Sequence, residues 1–156
     1  MPSTIKVALF HGETSLISGL IRWETRSKYN HAAIVLRDGS VIESVEEVGV
    51  HRLAALPVAK APDRIDLFEV MGLDTDWKVG EVENFLKAQL GKPYDWPDLL
   101  GFVTRADQPE GRDAWFCSEL VFAAIEAGGV ALLRDVPPFQ VSPGELSLSP
   151  YLVPAS

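Results

Sequence analysis

The feature that most constrains the fold is a β-hairpin signal in residues 31–45, which read HAAIVLRDGSVIESV. Two short runs of apolar and β-branched residues flank the dipeptide Asp38-Gly39, and an Asp-Gly pair between such runs is a strong predictor of a tight turn. Strands that are joined by a tight hairpin turn pair antiparallel. The sequence therefore predicts an antiparallel strand pair at this point in the chain.

The segments on both sides of the hairpin predict further strands and helices. Strands are expected at 5–10, within VGVHRLAAL and at 64–71, and helices over SLISGLIRWETRS, from Asp74 or Thr75 to Gly91, at 97–104 and from Cys117 to Gly128. The proline-rich tail, VPPFQVSPGELSLSP, is expected to contain turns. This mixture predicts an α+β fold in which helices pack on an antiparallel sheet.

Length and composition limit the possible functions. The chain has 156 residues, which is most simply one domain covering 1–156. With 47% apolar and 23% charged residues, it has the composition of an ordinary soluble globular protein. The single cysteine excludes an internal disulfide framework and a multi-cysteine zinc site. The net charge of -8 argues against nucleic-acid binding, which requires a basic face.

The N-terminal sequence, MPSTIKVALFHGET, lacks the pattern of a secretory signal and of a lipobox cysteine. No stretch approaches 18 uninterrupted apolar residues, so no transmembrane segment is expected. The default expectation is a cytoplasmic protein, or one that is exported by a route the sequence does not reveal.

Cys117 is the only cysteine and is predicted to lie in the first turn of the helix CSELVFAAIEAGGV. In that position the unpaired backbone N–H groups and the helix dipole favour an anion, and only a thiolate attacks a carbonyl. The same N–H groups can hold the oxyanion that forms after attack. The alternative is an inert core cysteine, since burial is among the commonest fates of this residue.

A reactive cysteine needs a base, and the chain offers three histidines. None are spaced as H-x-x-x-H, so a two-histidine metal site on one helix is not predicted. His11 lies in a turn after the first strand and His51 lies beside Arg52, so an exposed or structural role is expected for both. His31 begins a strand directly after the polar sequence SKYN, and a strand start holds a base in one geometry. His31 is therefore the predicted base.

The register of the hairpin decides which carboxylate orients the imidazole of His31. If the turn has three residues, with Gly39 in the left-handed conformation, His31 shares a face with Glu43. If the turn has only two residues, His31 lies opposite Glu46 instead. Glu43 is favoured because a carboxylate that faces inward from a strand needs a partner such as an imidazole, whereas Glu46 is expected to be solvated.

Aromatic residues occur near the predicted site. Tyr94, in the sequence GKPYDW, has a hydroxyl that can donate to an oxyanion, although packing in a proline-rich loop is the simpler explanation. Trp96, Trp115 and Phe116 are expected either to line a cleft or to fill the core.

Three parts of the sequence together resemble a known family. They are ISGLIRWETRSKYNHAAIVLRDGSVIES, then GKPYDW far downstream, and finally FCSELV. These residues resemble the circularly permuted branch of the papain-like NlpC-type cysteine hydrolases, which includes YiiX-like proteins and, more distantly, the lecithin:retinol acyltransferase group. In that branch the histidine strand and the orienting residue precede the cysteine helix. The order His31, Glu43, Cys117 matches this arrangement.

The resemblance covers most of the chain and implies a permuted papain-like fold, with the cysteine at the start of the last long helix. It implies that Cys117 is the nucleophile, His31 the base and Glu43 the third polar member, with Tyr94 near the oxyanion position. It favours the three-residue turn. The expected thiol mechanism needs no metal or organic cofactor. Many relatives carry an export signal or a lipid anchor, and the lack of both fits a phage or prophage protein or an intracellular hydrolase.

The expected activity is hydrolysis of an amide or ester bond through a thioacyl intermediate, with a peptide or peptidoglycan fragment as substrate. Action on an acyl lipid, as a hydrolase or acyltransferase, is an alternative. The candidates for an apolar trough that would hold such a lipid are Leu99, Leu100, Phe102 and Val103, and core packing is an equal alternative for these residues. A third possibility is a non-catalytic binding or structural module, such as a component of a phage particle.

Overall fold

A computed structural model of the chain describes residues 4–11, 28–57, 64–94, 114–136 and 141–155. These ranges contain strands β1 (Lys6–His11), β2 (Tyr29–Val35), β3 (Val41–Val45), β4 (Gly49–Leu53), β5 (Ile65–Val70) and β6 (Leu152–Pro154). They also contain helices α1 (Asp76–Gln89), α2 (Cys117–Ala127) and α3 (Pro143–Leu146). The predicted α+β class is confirmed.

The strands of the described ranges form one six-stranded antiparallel sheet in the order β4-β3-β2-β1-β5-β6. The turn between β2 and β3 has three residues. The backbone N–H of Leu36 donates to the carbonyl of Ser40 over 2.8 Å, and Gly39 adopts a φ of +87°. Val35 consequently pairs with Val41, which is the register expected for the three-residue turn.

Apolar side chains cover both faces of this sheet, because successive residues of a strand point to opposite sides. One face, which includes Val7 and Ile34, packs against the helices and forms the main core. The other face carries a smaller cluster built on Ala8, Ala33 and Val41. Burial on both faces makes the register of each strand specific, since a shift by one residue would exchange the two sets.

Helices α1 and α2 begin and end close to the predicted residues. The hydroxyl of Thr75 accepts the backbone N–H of Lys78 at 3.2 Å and so caps the first turn of α1. Helix α2 begins at Cys117, as predicted, and runs to Ala127, with the predicted Gly128 as its C-cap. It packs against α1 and also against β2 and β3, the two strands of the hairpin.

The C-terminal tail contains the expected turns, at 147–148 and at 150, and it also contains α3, while β6 follows directly after it. The side chain of Ser142 accepts the backbone N–H of Glu145 at 3.1 Å, and Pro143 occupies the first position of α3, which favours a helix start. Strand β6 then pairs with β5 at the edge of the sheet. With three residues, one of them Pro154, it is too short to show the alternation by which strands are recognised.

Some predictions lie outside the described residues. They are the helix over SLISGLIRWETRS, the helix at 97–104, Trp96, and the apolar residues Leu99, Leu100, Phe102 and Val103. Within the described ranges, no helix combines the length and the apolar character that crossing a lipid bilayer requires.

Candidate active site

His31 on β2 and Glu43 on β3 meet across the hairpin. Nε2 of His31 lies 2.6 Å from Oε1 of Glu43. Because Ile34 pairs with Ile42, the two side chains stand on the same face in a diagonal arrangement that long side chains can bridge. Glu43 is buried, whereas the imidazole of His31 remains 22% exposed. Glu46, the alternative carboxylate, lies in the turn that follows β3.

Cys117 is the first residue of α2, and its side chain lies close enough to His31 to raise the pKa of the imidazole. Since Nε2 of His31 is bound to Glu43, Nδ1 is the nitrogen that is left for the thiol. Cys117 is only 2% exposed, so His31 is the more accessible member of the pair. The backbone N–H of Cys117 lies at the first helical position, where such groups have no partner within the helix and can bind an anion.

The contacts within this cluster shift the pKa of both His31 and Glu43. Burial alone would lower the pKa of His31, but the hydrogen bonds to Cys117 and Glu43 and the negative charges of both raise it to about 10. Burial alone would raise the pKa of Glu43, yet the hydrogen bond and charge of His31, together with His51, hold it below its ordinary value. These contacts therefore favour an imidazolium at His31 beside an ionised carboxylate at Glu43.

A second histidine, His51 on β4, reaches the other oxygen of Glu43. Nε2 of His51 lies 3.0 Å from Oε2 of Glu43, and the two residues pair directly across β3 and β4. The sequence led us to expect an exposed or structural role for His51, and its contact with the buried carboxylate was missed. A sequence signal for this contact is the short turn at 46–48 that is followed by Gly49. If the strands on the two sides of that turn pair as a hairpin, His51 lies opposite Glu43.

Trp115, two residues before Cys117, is held by hydrogen bonds to three different parts of the fold. Its carbonyl accepts the hydroxyl of Ser44 on β3 at 2.6 Å, and its indole Nε1 donates to Gln89 on α1 at 3.0 Å. Its backbone N–H donates to the carbonyl of Pro93 at 3.0 Å. Ser44 lies on β3, the strand that also carries Glu43. This strand therefore fixes both the carboxylate and Trp115, the residue that lies two positions before the start of α2.

Tyr94 lies next to the start of α2. Its ring packs edge-on against Phe116, with 5.6 Å between the ring centroids, and the residue is buried. Its backbone forms an isolated β-bridge with Trp115. The backbone N–H of Phe116 donates to Oε1 of Glu119 at 2.8 Å, so this donor is already satisfied at the helix start. Trp115 and Phe116 are both buried, and they contribute to the core around the cysteine.

His11 lies outside this cluster. Its Nε2 is 3.6 Å from Oδ2 of Asp66, and its ring packs edge-on against Tyr29. The hydroxyl of Tyr29 donates to the same carboxylate oxygen at 2.6 Å, and Nζ of Lys28 lies 3.3 Å from it. His11 thus belongs to a separate polar cluster between β1, β2 and β5.

Among the residues that the structure describes, no three His, Cys, Asp or Glu side chains are grouped so that they could hold a metal ion. The nearest arrangement is that of His31, Glu43 and His51. In this group, Nε2 of His31 lies 2.6 Å from one carboxylate oxygen of Glu43, and Nε2 of His51 lies 3.0 Å from the other. The three side chains therefore do not converge on one point where a metal ion could bind. The cluster is suited to proton transfer and charge stabilisation by its own side chains.

No protein-family model and no curated protein matches the sequence. Among solved structures, the chain is similar to the crystal structure of the metalloprotein YiiX from Escherichia coli O157:H7, with a TM-score of 0.71 and 19% sequence identity. The similarity covers 99% of this chain and 97% of that chain. At this identity the likeness shows a shared fold, so the expected YiiX-like architecture is confirmed at the level of the fold.

Proposed function

We propose that the chain is a cysteine-dependent hydrolase that cleaves an amide or ester bond through a thioacyl intermediate on Cys117. The observation that carries the proposal is the position of His31, which lies 2.6 Å from the carboxylate of Glu43 and close enough to Cys117 for the thiol to raise the pKa of the imidazole. Nucleophile, base and orienting group in this arrangement are what thiol catalysis requires. The proposed catalytic domain spans residues 1–156, with these residues in the order of the permuted papain-like hydrolases.

In the first half of the proposed reaction, His31 takes the proton of the Cys117 thiol. The thiolate attacks the substrate carbonyl carbon, and the electron pair of the carbonyl bond moves to its oxygen. The backbone N–H of Cys117 stabilises this oxyanion, and the hydroxyl of Tyr94 is proposed as a second donor. His31 then gives its proton to the leaving amine or alcohol as the carbon–nitrogen or carbon–oxygen bond breaks.

In the second half, water releases the thioacyl group. Neutral His31 takes a proton from the water molecule, whose oxygen attacks the thioester carbon. Collapse of the tetrahedral intermediate breaks the carbon–sulfur bond, releases a carboxylic acid and restores the pair of Cys117 and His31. Glu43 keeps the imidazole in one orientation and stabilises its protonated form in both halves.

An amide bond in a peptide or cell-wall peptide is the proposed substrate class, and the resemblance to NlpC-type hydrolases supports it. The apolar residues at 99–103, which an acyl-lipid substrate would use, lie outside the described ranges. No described contact therefore favours the lipid alternative.

YiiX is called a metalloprotein, but the described donor groups of this chain do not fit a metal-dependent step. Both oxygens of Glu43 are engaged by imidazole nitrogens, one from His31 and one from His51. The proposed mechanism therefore relies on the thiol, the imidazole and the carboxylate.

A non-catalytic binding or structural module is the second candidate, and the burial of Cys117 favours it. With 2% of the residue exposed, the sulfur does not face open solvent. A substrate carbonyl would have to approach past the exposed part of His31. A protein that only binds a partner could keep this fold without ever exposing the thiol to a carbonyl.

Two measurements on the full chain separate these candidates. Because Cys117 is the only cysteine, the ultraviolet thiolate absorbance of the wild type minus that of Cys117→Ser reports this residue alone. We expect a thiolate at neutral pH that is lost in His31→Ala. We also expect mass spectrometry to detect a thioacyl adduct on Cys117 after incubation with peptide amides, peptidoglycan fragments or acyl esters. An unactivated thiol together with no adduct from any of these compounds would favour the non-catalytic module.

A further inference from the structure

We propose that His51 is a positioning residue of this site, which holds the second oxygen of Glu43 so that the first oxygen stays on His31. The inference rests on the proposed function, because it assigns His51 to the same thiol-activating cluster. One carboxylate joins imidazoles from two neighbouring strands, with Oε1 2.6 Å from His31 and Oε2 3.0 Å from His51.

The second contact matters because a carboxylate bound at one oxygen is not fully fixed. The terminal torsion of a glutamate side chain has a broad energy profile, so the group can rotate about it. The side chain of Glu43 is only 9% exposed, which leaves little room for water to replace a missing donor. A hydrogen bond from His51 to Oε2 therefore holds the plane of the carboxylate and keeps Oε1 directed at His31.

The pairing of β3 with β4 brings His51 into position to bind the second oxygen of Glu43. It stands directly opposite Glu43 in the β3–β4 ladder, so both side chains project from the same face. The next residue, Arg52, serves another purpose, since its guanidinium donates to Asp38 at 2.7 Å and to Ser40 at 3.0 Å in the β2–β3 turn. Strand β4 thus contacts the site through His51 and the turn between β2 and β3 through Arg52.

The electrostatic coupling runs from His51 through Glu43 to the thiol. Within the described part of the chain, the charged groups that act on Glu43 are His31 from β2 and His51 from β4, and Cys117 from α2 acts on His31. An N–H donated by His51 favours the ionised carboxylate, and the ionised carboxylate favours the imidazolium of His31. Without His51, the imidazolium of His31 is expected to be less favoured, and with it any ion pair that His31 forms with Cys117.

The test uses two substitutions of His51 and one matched control. His51→Ala removes the donor, whereas His51→Gln keeps an amide N–H near the position of Nε2 without an imidazole charge. His11→Ala is the control, because His11 is a partly buried histidine that faces a carboxylate, Asp66, outside the cluster. The readout is the pH profile of the Cys117 thiolate absorbance, measured as a difference from Cys117→Ser.

For His51→Ala we expect the profile to move to higher pH by about one unit, which corresponds to a tenfold change in the protonation equilibrium. His51→Gln and His11→Ala are expected to shift it by less than about a third of a unit. In a Glu43→Ala background, His51→Ala should cause no further shift, since the proposed coupling runs through Glu43. If His51→Ala does not fold, His51→Phe keeps a ring without the donor and should give the same shift.

The outcomes separate this inference from the proposed function. If the wild type and His31→Ala behave as expected but His51→Ala leaves the profile unchanged, His51 has no positioning role and the proposed function stands. A further shift in the Glu43→Ala background, or an equal shift in His51→Gln, would also overturn the role of His51. A wild type with neither a thiolate at neutral pH nor an adduct on Cys117 would overturn the proposed function itself.

Discussion

Oε1 of Glu43 lies 2.6 Å from Nε2 of His31, although 12 positions of sequence separate the two residues. The three-residue turn between β2 and β3 produces this contact, because it sets the register in which the strands pair. A turn shorter by one residue would have brought Glu46 to this place. The identity of the carboxylate beside the imidazole therefore depends on a turn that includes neither residue.

Replacing Glu43 by glutamine is expected to move the thiolate profile of Cys117 to higher pH by about one unit or more. The reason is that a neutral amide cannot balance the imidazolium of His31 as a carboxylate does. The thiolate absorbance difference measures the shift. Glu46→Gln removes the same charge in the turn after β3 and should leave the profile unchanged. An equal shift in both variants would mean that net charge, not the contact with His31, stabilises the thiolate.

The raised pKa of His31 predicts a pH-dependent contribution to stability. Burial opposes the charge, but the contacts with Cys117 and Glu43 raise the pKa of His31 to about 10, from 6.5 for an ordinary histidine. The native state then keeps a proton that the unfolded chain loses, so this stabilisation is complete below about pH 6.5 and is lost as the pH rises through about 10.

Urea unfolding of the wild type and of His31→Ala across this pH range measures that contribution. The difference in the free energy of unfolding between the two proteins should shrink by more than about 1.4 kcal/mol, the equivalent of one pKa unit. Titration of groups outside the cluster is common to both proteins and cancels, so the difference reports His31 together with its partners Glu43 and Cys117. A difference that stays constant over the range would contradict the raised pKa of His31.

Ser44→Ala is expected to lower the free energy of unfolding by about 1–3 kcal/mol, because it leaves the buried carbonyl of Trp115 without its donor. The same change should slow alkylation of Cys117, because Ser44 holds Trp115, which lies two residues before Cys117 at the start of α2. Ser147→Ala is a suitable comparison, because Ser147 also donates to a backbone carbonyl, that of Gly144, but in a less buried place. Urea unfolding and the alkylation rate check both effects, and equal losses in the two variants would argue against a special role for the Ser44 contact.

Gly39→Ala and Gly49→Ala are expected to differ in cost, although both glycines have a positive φ, +87° and +78°. An added Cβ at Gly39 meets nothing within 4 Å, so only the left-handed conformation is penalised, by about 1–2 kcal/mol. At Gly49 the same atom would lie 2.3 Å from the carbonyl oxygen of Lys92, and the backbone would have to move.

Thermal or urea unfolding of the two alanine variants compares these costs directly. Gly49→Ala should be the more destabilised by at least about 1 kcal/mol, in the range of the cost of local strain. Because Gly49 starts β4, this variant should also shift the thiolate profile of Cys117 through the displaced His51. Equal destabilisation of both variants would show that the backbone at Lys92 can move away from the added Cβ of residue 49 without a loss of stability.

The sequence by itself determined the local features of this protein. The Asp38-Gly39 turn, the strand that follows it and the start of α2 at Cys117 were all predictable. Each depends on a few neighbouring residues, through left-handed glycine conformations, helix ends and apolar periodicity. Whether Glu43 or Glu46 contacts His31 depended only on the length of the turn between β2 and β3. The family resemblance favoured a turn of three residues, which is the turn that the structure contains.

The tertiary structure decided which of these local elements meet. The contact of Cys117 with His31 requires α2 to pack on β2 and β3, and the bond from Ser44 to Trp115 depends on the same packing. The place of His51 on Glu43 follows from the register of β4, which the sequence only suggested as a short strand. The first two contacts join residues far apart in the chain, and burial of the two sheet faces selects them together, so no short stretch of sequence encodes either of them.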